Sequence, residues 1–193
     1  EKYWLKGLAY YDAGARSFYS KDKKINNPKD LEGLKIRVME SKTAFDMVKA
    51  LGGSPTPISF GELYTSLQQG VVDGAENNLP SFYLSRHYEV CKFYTLDEHT
   101  VLPDVLLMST HMWDSLSDQE KKWLGQAVKE SVTEQRKLWI ESEKKSLDAV
   151  KKAGVEIIIP DKTLFSEKSK HILESYRDDK ILYEFIERIK KTK

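Results

Sequence analysis

The side chains in this chain whose types and spacing could do chemistry are two arginines, an asparagine and a glutamate, Arg37, Arg16, Asn77 and Glu40. Arg37 lies within Leu34-Lys35-Ile36-Arg37-Val38-Met39, where alternation points it away from Ile36 and Val38. Two readings stand. It is a solvent-facing arginine on an exposed sheet face, or a guanidinium at a strand end whose fork grips a carboxylate by two parallel hydrogen bonds. Arg16 follows the glycine-containing break Asp12-Ala13-Gly14-Ala15 and on its own says less. Asn77 offers a donor and acceptors, which suits a carboxylate or a hydroxyl, yet asparagine is also a routine turn residue. Glu40, three residues beyond Arg37, can accept from sugar hydroxyls, pair with a lysine or lie exposed.

Other chemistry finds no support. The sequence has no Gly-x-Gly-x-x-Gly, no Walker loop, no Gly-x-Ser-x-Gly elbow and no His-Glu-x-x-His. His87, His99, His111 and His171 are scattered, without a ligand partner at helical spacing, and read as surface or core histidines. Asp73, Glu76 and Asn78 lack EF-hand spacing, so no calcium loop is expected. Cys91 is the single cysteine, which excludes a disulfide framework and a cysteine metal site within this sequence. No catalytic residue, metal or cofactor is expected.

The elements that must position these residues centre on the stretch 60–77. Ser59 and Glu62 have capping-box spacing for a helix in which Phe60, Leu63, Tyr64 and Leu67 share one apolar face. Gly70 stops that helix, Val71 and Val72 suit a strand, and Asp73-Gly74 turns it. Glu76, Asn77 and Asn78 then fall where an α/β sheet presents side chains to a ligand, beyond a strand's carboxyl end. Upstream, Ser41 caps a helix over 42–51 with Ala44, Phe45, Val48 and Leu51 on one face, ended by Gly52-Gly53. An extended link over 54–58 follows. Residues 33–77 therefore read strand, helix, short strand, helix, strand, which favours a mostly parallel sheet with covering helices.

Strands are expected at 7–11, 17–19, 93–96, 105–108 and 155–159, with 98–104 between two of them and a surface loop over 21–31. A short helix is expected at 81–87. Ser117 and Glu120 form a second capping box, and no helix breaker appears before Gly154. A helix over 118–153 would be about 54 Å long at 1.5 Å per residue. It carries an approximate stripe of Trp123, Leu124, Ala127, Val128, Ser131, Val132, Leu138, Trp139, Leu147 and Val150. Such a length should bridge two lobes or reach a second molecule. Two more helices are expected at 163–176 and 180–190, the latter with Leu182, Phe185, Ile186 and Ile189 at core spacing.

The 193 residues include 31 basic and 30 acidic side chains, a net charge of +1. That balance argues against a nucleic-acid binder. No run approaches the length of a membrane span. Glu1-Lys2-Tyr3-Trp4 lacks the apolar core of a secretory signal, as in a mature or truncated form.

The ordered segments Gly-Leu-Lys-Ile-Arg-Val (33–38), Leu-Gly-Gly-Ser-Pro-Thr-Pro (51–57), Phe-Gly-Glu-Leu-Tyr (60–64) and Leu-Gln-Gln-Gly-Val-Val-Asp-Gly-Ala-Glu-Asn-Asn (67–78) carry a resemblance. So do Ser-Phe-Tyr (81–83), Glu-His-Thr (98–100), Pro-Asp-Val-Leu-Leu (103–107) and Trp-Asp-Ser-Leu-Ser (113–117). Together they resemble the DctP-type substrate-binding proteins of tripartite ATP-independent periplasmic (TRAP) transporters over nearly the whole chain.

The resemblance implies a periplasmic-binding-protein-like α/β fold: two lobes, hinge strands and a long bridging helix closing on a small organic acid. It assigns 1–32 to a first-lobe remnant and hinge strand, 33–95 to the second lobe and 96–117 to return strands. The bridging helix is 118–153, and 154–193 supplies a C-terminal strand and helices. It makes Arg37 the main carboxylate clamp, assisted by Arg16 and completed by Asn77, with Phe60, Tyr64 and Tyr83 as the wall. The Met-Glu-Ser variant resembles members taking sugar acids such as uronates, with Glu40 reading a hydroxyl; C4-dicarboxylates come next. The implied partner is a TRAP membrane permease and the implied location is the periplasm. A ligand-sensing module on the same fold is the alternative. Family members normally have a substantial N-terminal portion that builds most of the first lobe. Its absence here implies an incomplete lobe, and apolar surface on the long helix that invites self-association.

Overall fold

The computed structural model describes residues 3–192. Expectations touching Glu1, Lys2 and Lys193 lie outside the described residues.

Among the described residues, eight strands form two sheets. β1 (Leu5–Tyr11) pairs antiparallel with β7 (Asp104–Ser109) in a two-stranded ribbon. The other sheet contains β2 (Ala15–Ser20), β3 (Lys35–Val38), β4 (Ser54–Pro57), β5 (Gly74–Asn77), β6 (Phe93–Val101) and β8 (Glu156–Ile158), in the order β4-β3-β5-β2-β6-β8. β4, β3 and β5 are parallel, as are β6 and β8, while β2 runs antiparallel to β5 and β6. The chain passes from ribbon to sheet between β1 and β2 and returns between β6 and β7. Both crossings lie at the edge where β3 and β5 end.

Seven α-helices complete the fold of the described residues. α1 (Lys42–Leu51) and α6 (Lys162–Glu174) cover one sheet face around Phe18, Ile36, Val38, Val48 and Phe165. α2 (Leu63–Gln69), α3 (Leu79–Leu84) and the end of α5 (Asp118–Lys152) cover the other, around Tyr19, Leu67, Ala75, Phe82, Tyr94 and Val150. α4 (Thr110–Ser115) follows β7, and α7 (Lys180–Lys191) ends the described chain. The loop expected over 21–31 closes with a 3-10 turn at Pro28–Leu31, capped by Asn27.

Several sequence expectations need correction. Helices on both faces leave no half-exposed β3, because Ile36, Arg37 and Val38 are all buried. Met47 takes the place expected for Phe45 on the buried face of α1, since the interval of three from Ala44 falls on it; Phe45 is partly exposed. Ser59 caps no helix: its hydroxyl donates to the Glu62 carboxylate at 2.8 Å, Phe60–Glu62 winds as a 3-10 turn, and α2 starts only at Leu63.

The largest shift is at β5. Val71 is exposed and Val72 is a core residue in the preceding bend, so the strand begins at Gly74 rather than ending before it. Gly74 is there for close approach, not for a turn: a Cβ would lie 2.4 Å from the Tyr19 carbonyl oxygen. β6 runs to Val101, so Glu98–Val101, expected between strands, belongs to one.

α5, with 35 residues, is about 52 Å long and starts at the expected Ser117–Glu120 capping box. Its first half meets β1 through Tyr11 and Ser131, whose hydroxyls are 2.8 Å apart, and through Gln135 bonded to the Asp12 backbone. Its end sinks Ser146 and Val150 into the core. Trp123 and Leu138 of the expected stripe are instead exposed, as are Leu182, Phe185 and Ile189 of α7. Among the described residues nothing covers these faces.

Candidate functional site

Strand parity and the ends of β3 and β5 build the site. Alternation puts Ile36 and Val38 under α1 and α6 and sends Arg37 to the opposite face, toward Tyr19 and Ile58. The Arg37 residue is 4% exposed. Its Nε donates to the Ile58 carbonyl at 2.8 Å, and its guanidinium lies 5.7 Å from the Phe60 ring centre. No ion pair or further hydrogen bond engages its terminal nitrogens among the described residues. Burial lowers its pKa from the ordinary arginine value, the sign of a cation short of solvation. Arg37 is thus not the solvent-facing arginine of the first reading: it is a buried fork, anchored at one point, with its outer nitrogens unspent.

Arg16 is disposed differently. β2 and β5 pair so that Phe18 stands opposite Glu76 and Ser17 opposite Asn77, which brings Arg16 over the Glu76 carboxylate. Its Nε donates to Glu76 Oε2 at 2.5 Å, and its Nη2 donates to Glu76 Oε1 at 2.8 Å and to the Glu76 carbonyl at 2.9 Å. Nη1 donates to Asn77 Oδ1 at 3.0 Å. Every nitrogen of Arg16 thus has a protein acceptor.

Behind this pair lies a charge network that sequence reasoning missed. His99 Nδ1 is 2.5 Å from Asp97 Oδ2, and its Nε2 is 3.6 Å from Glu76 Oε2, an ion-pair distance longer than a hydrogen bond. Asp97 also accepts from the Phe18 amide at 3.0 Å, and Phe18 stacks on the His99 ring at 4.3 Å. Burial would lower the His99 pKa, but the charge and hydrogen bond of Asp97, then Glu76, raise it to about 9. Burial would raise the Glu76 carboxyl, yet His99 and Arg16 hold it below its usual range. At neutral pH the cluster holds two cations and two anions. Glu98, at φ 49, lies in the stretch where the β2–β6 register shifts, between the buried side chains of Asp97 and His99. The signal in the sequence was Asp97-x-His99, whose period of two puts both side chains on one strand face.

Asn77 is fixed from two sides. Its Oδ1 accepts from Arg16 Nη1 and from the Asn78 amide at 2.9 Å, which orients the amide and leaves Nδ2 as a donor. Asn78 is committed to structure: Oδ1 caps α3 at the Ser81 amide and Nδ2 donates to the Ala13 carbonyl. Asp73 accepts from the Lys35 amide. The Asp73–Glu76–Asn78 run is therefore dispersed among separate partners.

The structure brings Arg37, Arg16, Asn77 and Phe60 together at one sheet edge. The other expected residues are disposed differently. Glu40 is exposed in the bend after β3. The Tyr64 hydroxyl donates to Glu89 at 3.0 Å, and Tyr83 stacks on Tyr88 at 5.5 Å, facing α5 across a groove lined by Lys144, Lys145 and Asp148. On the α1–α6 side of the sheet, a cavity of about 550 Å³ is lined by Met39, Ser41, Met47, His99 and Phe165. The Arg16–Glu76 pair forms part of its wall.

A mainly parallel sheet joined to a second sheet by two adjacent crossings, with an anchored arginine at that junction, defines the class: a solute-binding fold of the periplasmic type. The chain belongs to the bacterial extracellular solute-binding proteins, family 7 (DctP), which its residues 1–179 match. This is a family of solute-binding transport proteins, not of enzymes, and its members are periplasmic.

Among curated relatives, a solute-binding protein of Chromohalobacter salexigens is 40% identical over 170 residues, 88% of this chain and 51% of that protein. A TRAP periplasmic solute-binding protein from Xanthobacter autotrophicus Py2, solved with bound β-D-galacturonate, is 42% identical with a TM-score of 0.94. That match covers 100% of this chain and 64% of the other. Another, from Chromohalobacter salexigens with bound D-glucuronate, is 38% identical with a TM-score of 0.91, covering 95% and 61%. The chain spans about half the length of the curated relatives it matches.

Proposed function

We propose that this chain belongs to an extracytoplasmic solute-binding protein that captures a sugar acid, a hexuronate, and delivers it to a TRAP membrane permease. The carrying observation is Arg37: buried, anchored through Nε on Ile58, and without a carboxylate of its own. A cation in that state gains most from an incoming anion, and the free outer edge of a guanidinium matches a carboxylate bidentately. Asn77 donates through Nδ2 to a second ligand oxygen. The half-exposed Phe60 offers an apolar face for the C–H side of a sugar ring. Arg16 positions Asn77 rather than gripping the ligand, because Glu76 already neutralises it. The galacturonate and glucuronate held by the similar solved proteins have the same chemistry, a carboxylate borne on a pyranose ring.

Calorimetry of the intact protein with D-galacturonate and D-glucuronate tests this. One acid binds per protein, and Arg37→Ala weakens binding by about 100-fold or more, the loss of a charge-assisted pair worth ~3 kcal/mol. Undiminished affinity in Arg37→Ala would refute the clamp.

A further inference from the structure

We propose that His87 is a positioning residue for this site, holding the Phe60 ring at its angle beside Arg37. The inference rests on the carboxylate reading of Arg37 given above. Phe60 has little else to hold it: it starts a 3-10 turn without a side-chain cap, and its residue is 45% exposed. Its ring meets the His87 imidazole edge-on, with centroids 5.7 Å apart and planes at 67°. The Arg37 guanidinium lies 5.7 Å from the same ring. The Phe60 ring thus lies within reach of both His87 and the proposed clamp.

His87 itself is rigidly mounted. It is 1% exposed, and its Nδ1 shares a hydrogen bond of 2.9 Å with the Tyr19 hydroxyl. Tyr19 is fully buried on β2, nearly parallel to Tyr94 and in contact with Phe82. The backbone also accepts strain to aim it. Arg86, immediately before, has φ 59, a left-handed conformation costing a non-glycine residue roughly 1 kcal/mol. Burial, then the nearby Arg37 charge, hold the imidazole pKa down to about 4. The ring is therefore neutral at physiological pH and does not repel the clamp. A neutral, hydrogen-bonded ring is what an aromatic wall next to a guanidinium requires.

The test uses His87→Gln, which can keep a bond to Tyr19 but removes the ring, and His87→Phe, which keeps a ring but loses the bond. With 4-fluorophenylalanine labelling, the Phe60 fluorine resonance of the ligand-free protein, assigned through Phe60→Leu, should move and broaden in His87→Gln. Galacturonate affinity should fall about tenfold in His87→Gln, the scale of one aromatic contact. Adding Phe60→Leu to that variant should cost little more, and His87→Phe should fall between. A Phe60 resonance indifferent to His87, or losses from His87→Gln and Phe60→Leu that simply add, would overturn the proposal. If the wild-type protein bound no uronate, the carboxylate reading would fail, while the ligand-free resonance would still decide the role of His87.

Discussion

Asn77→Asp is the sharpest single perturbation of the site, because it changes one donor into an acceptor at almost constant volume. Asn77 Oδ1 already takes two hydrogen bonds, from Arg16 Nη1 at 3.0 Å and from the Asn78 amide at 2.9 Å. An aspartate oxygen can accept both. What changes is the outward atom: Nδ2, a donor, becomes a carboxylate oxygen. The ligand then loses a hydrogen bond to a charged or hydroxyl acceptor, about 1.5–3 kcal/mol. It also meets a like charge, which at about 4 Å and an effective dielectric of 20 opposes it by ~4 kcal/mol. Together these, about 5.5–7 kcal/mol, predict a fall in uronate affinity on the order of ten thousandfold or more. Asn77→Ala, losing only the hydrogen bond, should weaken binding roughly 10- to 100-fold. The assay is isothermal calorimetry at pH 7, with thermal unfolding as the control for folding. Galacturonate binding by Asn77→Asp within tenfold of the wild type would mean that Nδ2 does not face the ligand, and the donor argument would fall.

Two further outcomes follow from the same geometry. Gly74→Ala forces a Cβ to within 2.4 Å of the Tyr19 carbonyl in the middle of the sheet, so it should destabilise by at least ~2 kcal/mol. Chemical denaturation reads this, and a wild-type midpoint would contradict the close-approach role. Stability should also pass through a maximum near neutrality. The folded-state pKa of His99 is raised from 6.5 to about 9, so its contribution is full below pH 6.5 and is lost as pH rises through 9. That of His87 is lowered to about 4, so its contribution is full above pH 6.5 and is lost as pH falls toward 4. Denaturation across pH 4–10 should show both limbs; an alkaline limb unchanged in His99→Gln would remove His99 from the account.

Elements with a local cause were legible in the sequence. The capping box at Ser117 and Glu120 announces α5, and Ser41 with Gly52 bounds α1, because a cap and a left-handed stop act within a few residues. Failures came where a residue type has two physical uses. Gly74 reads as a turn next to Asp73, yet it serves a backbone contact with a strand more than fifty positions away in sequence, invisible without the pairing of β2 and β5. Leu182, Phe185 and Ile189 have the spacing of a buried face, but spacing says only that a face exists, not that anything covers it.

The same limit explains the two arginines. In sequence Arg16 and Arg37 are both cations near strand ends, Arg16 the less telling of the two, and the resemblance assigned their roles. What separates them is register: Phe18 opposite Glu76 places a carboxylate under Arg16, while no carboxylate pairs with Arg37 among the described residues. Arg16, His99, Glu76 and Asp97 sum to zero charge, so that cluster has no electrostatic need of a ligand. Arg37 has no such compensation and has lost most of its water. The unsatisfied charge at this edge is thus one guanidinium, and the neutral network beside it matters by fixing which way the Asn77 amide points. An anion recognised here is held by one fork and one oriented donor, and its affinity should depend far more steeply on Arg37 than on the charge of Arg16.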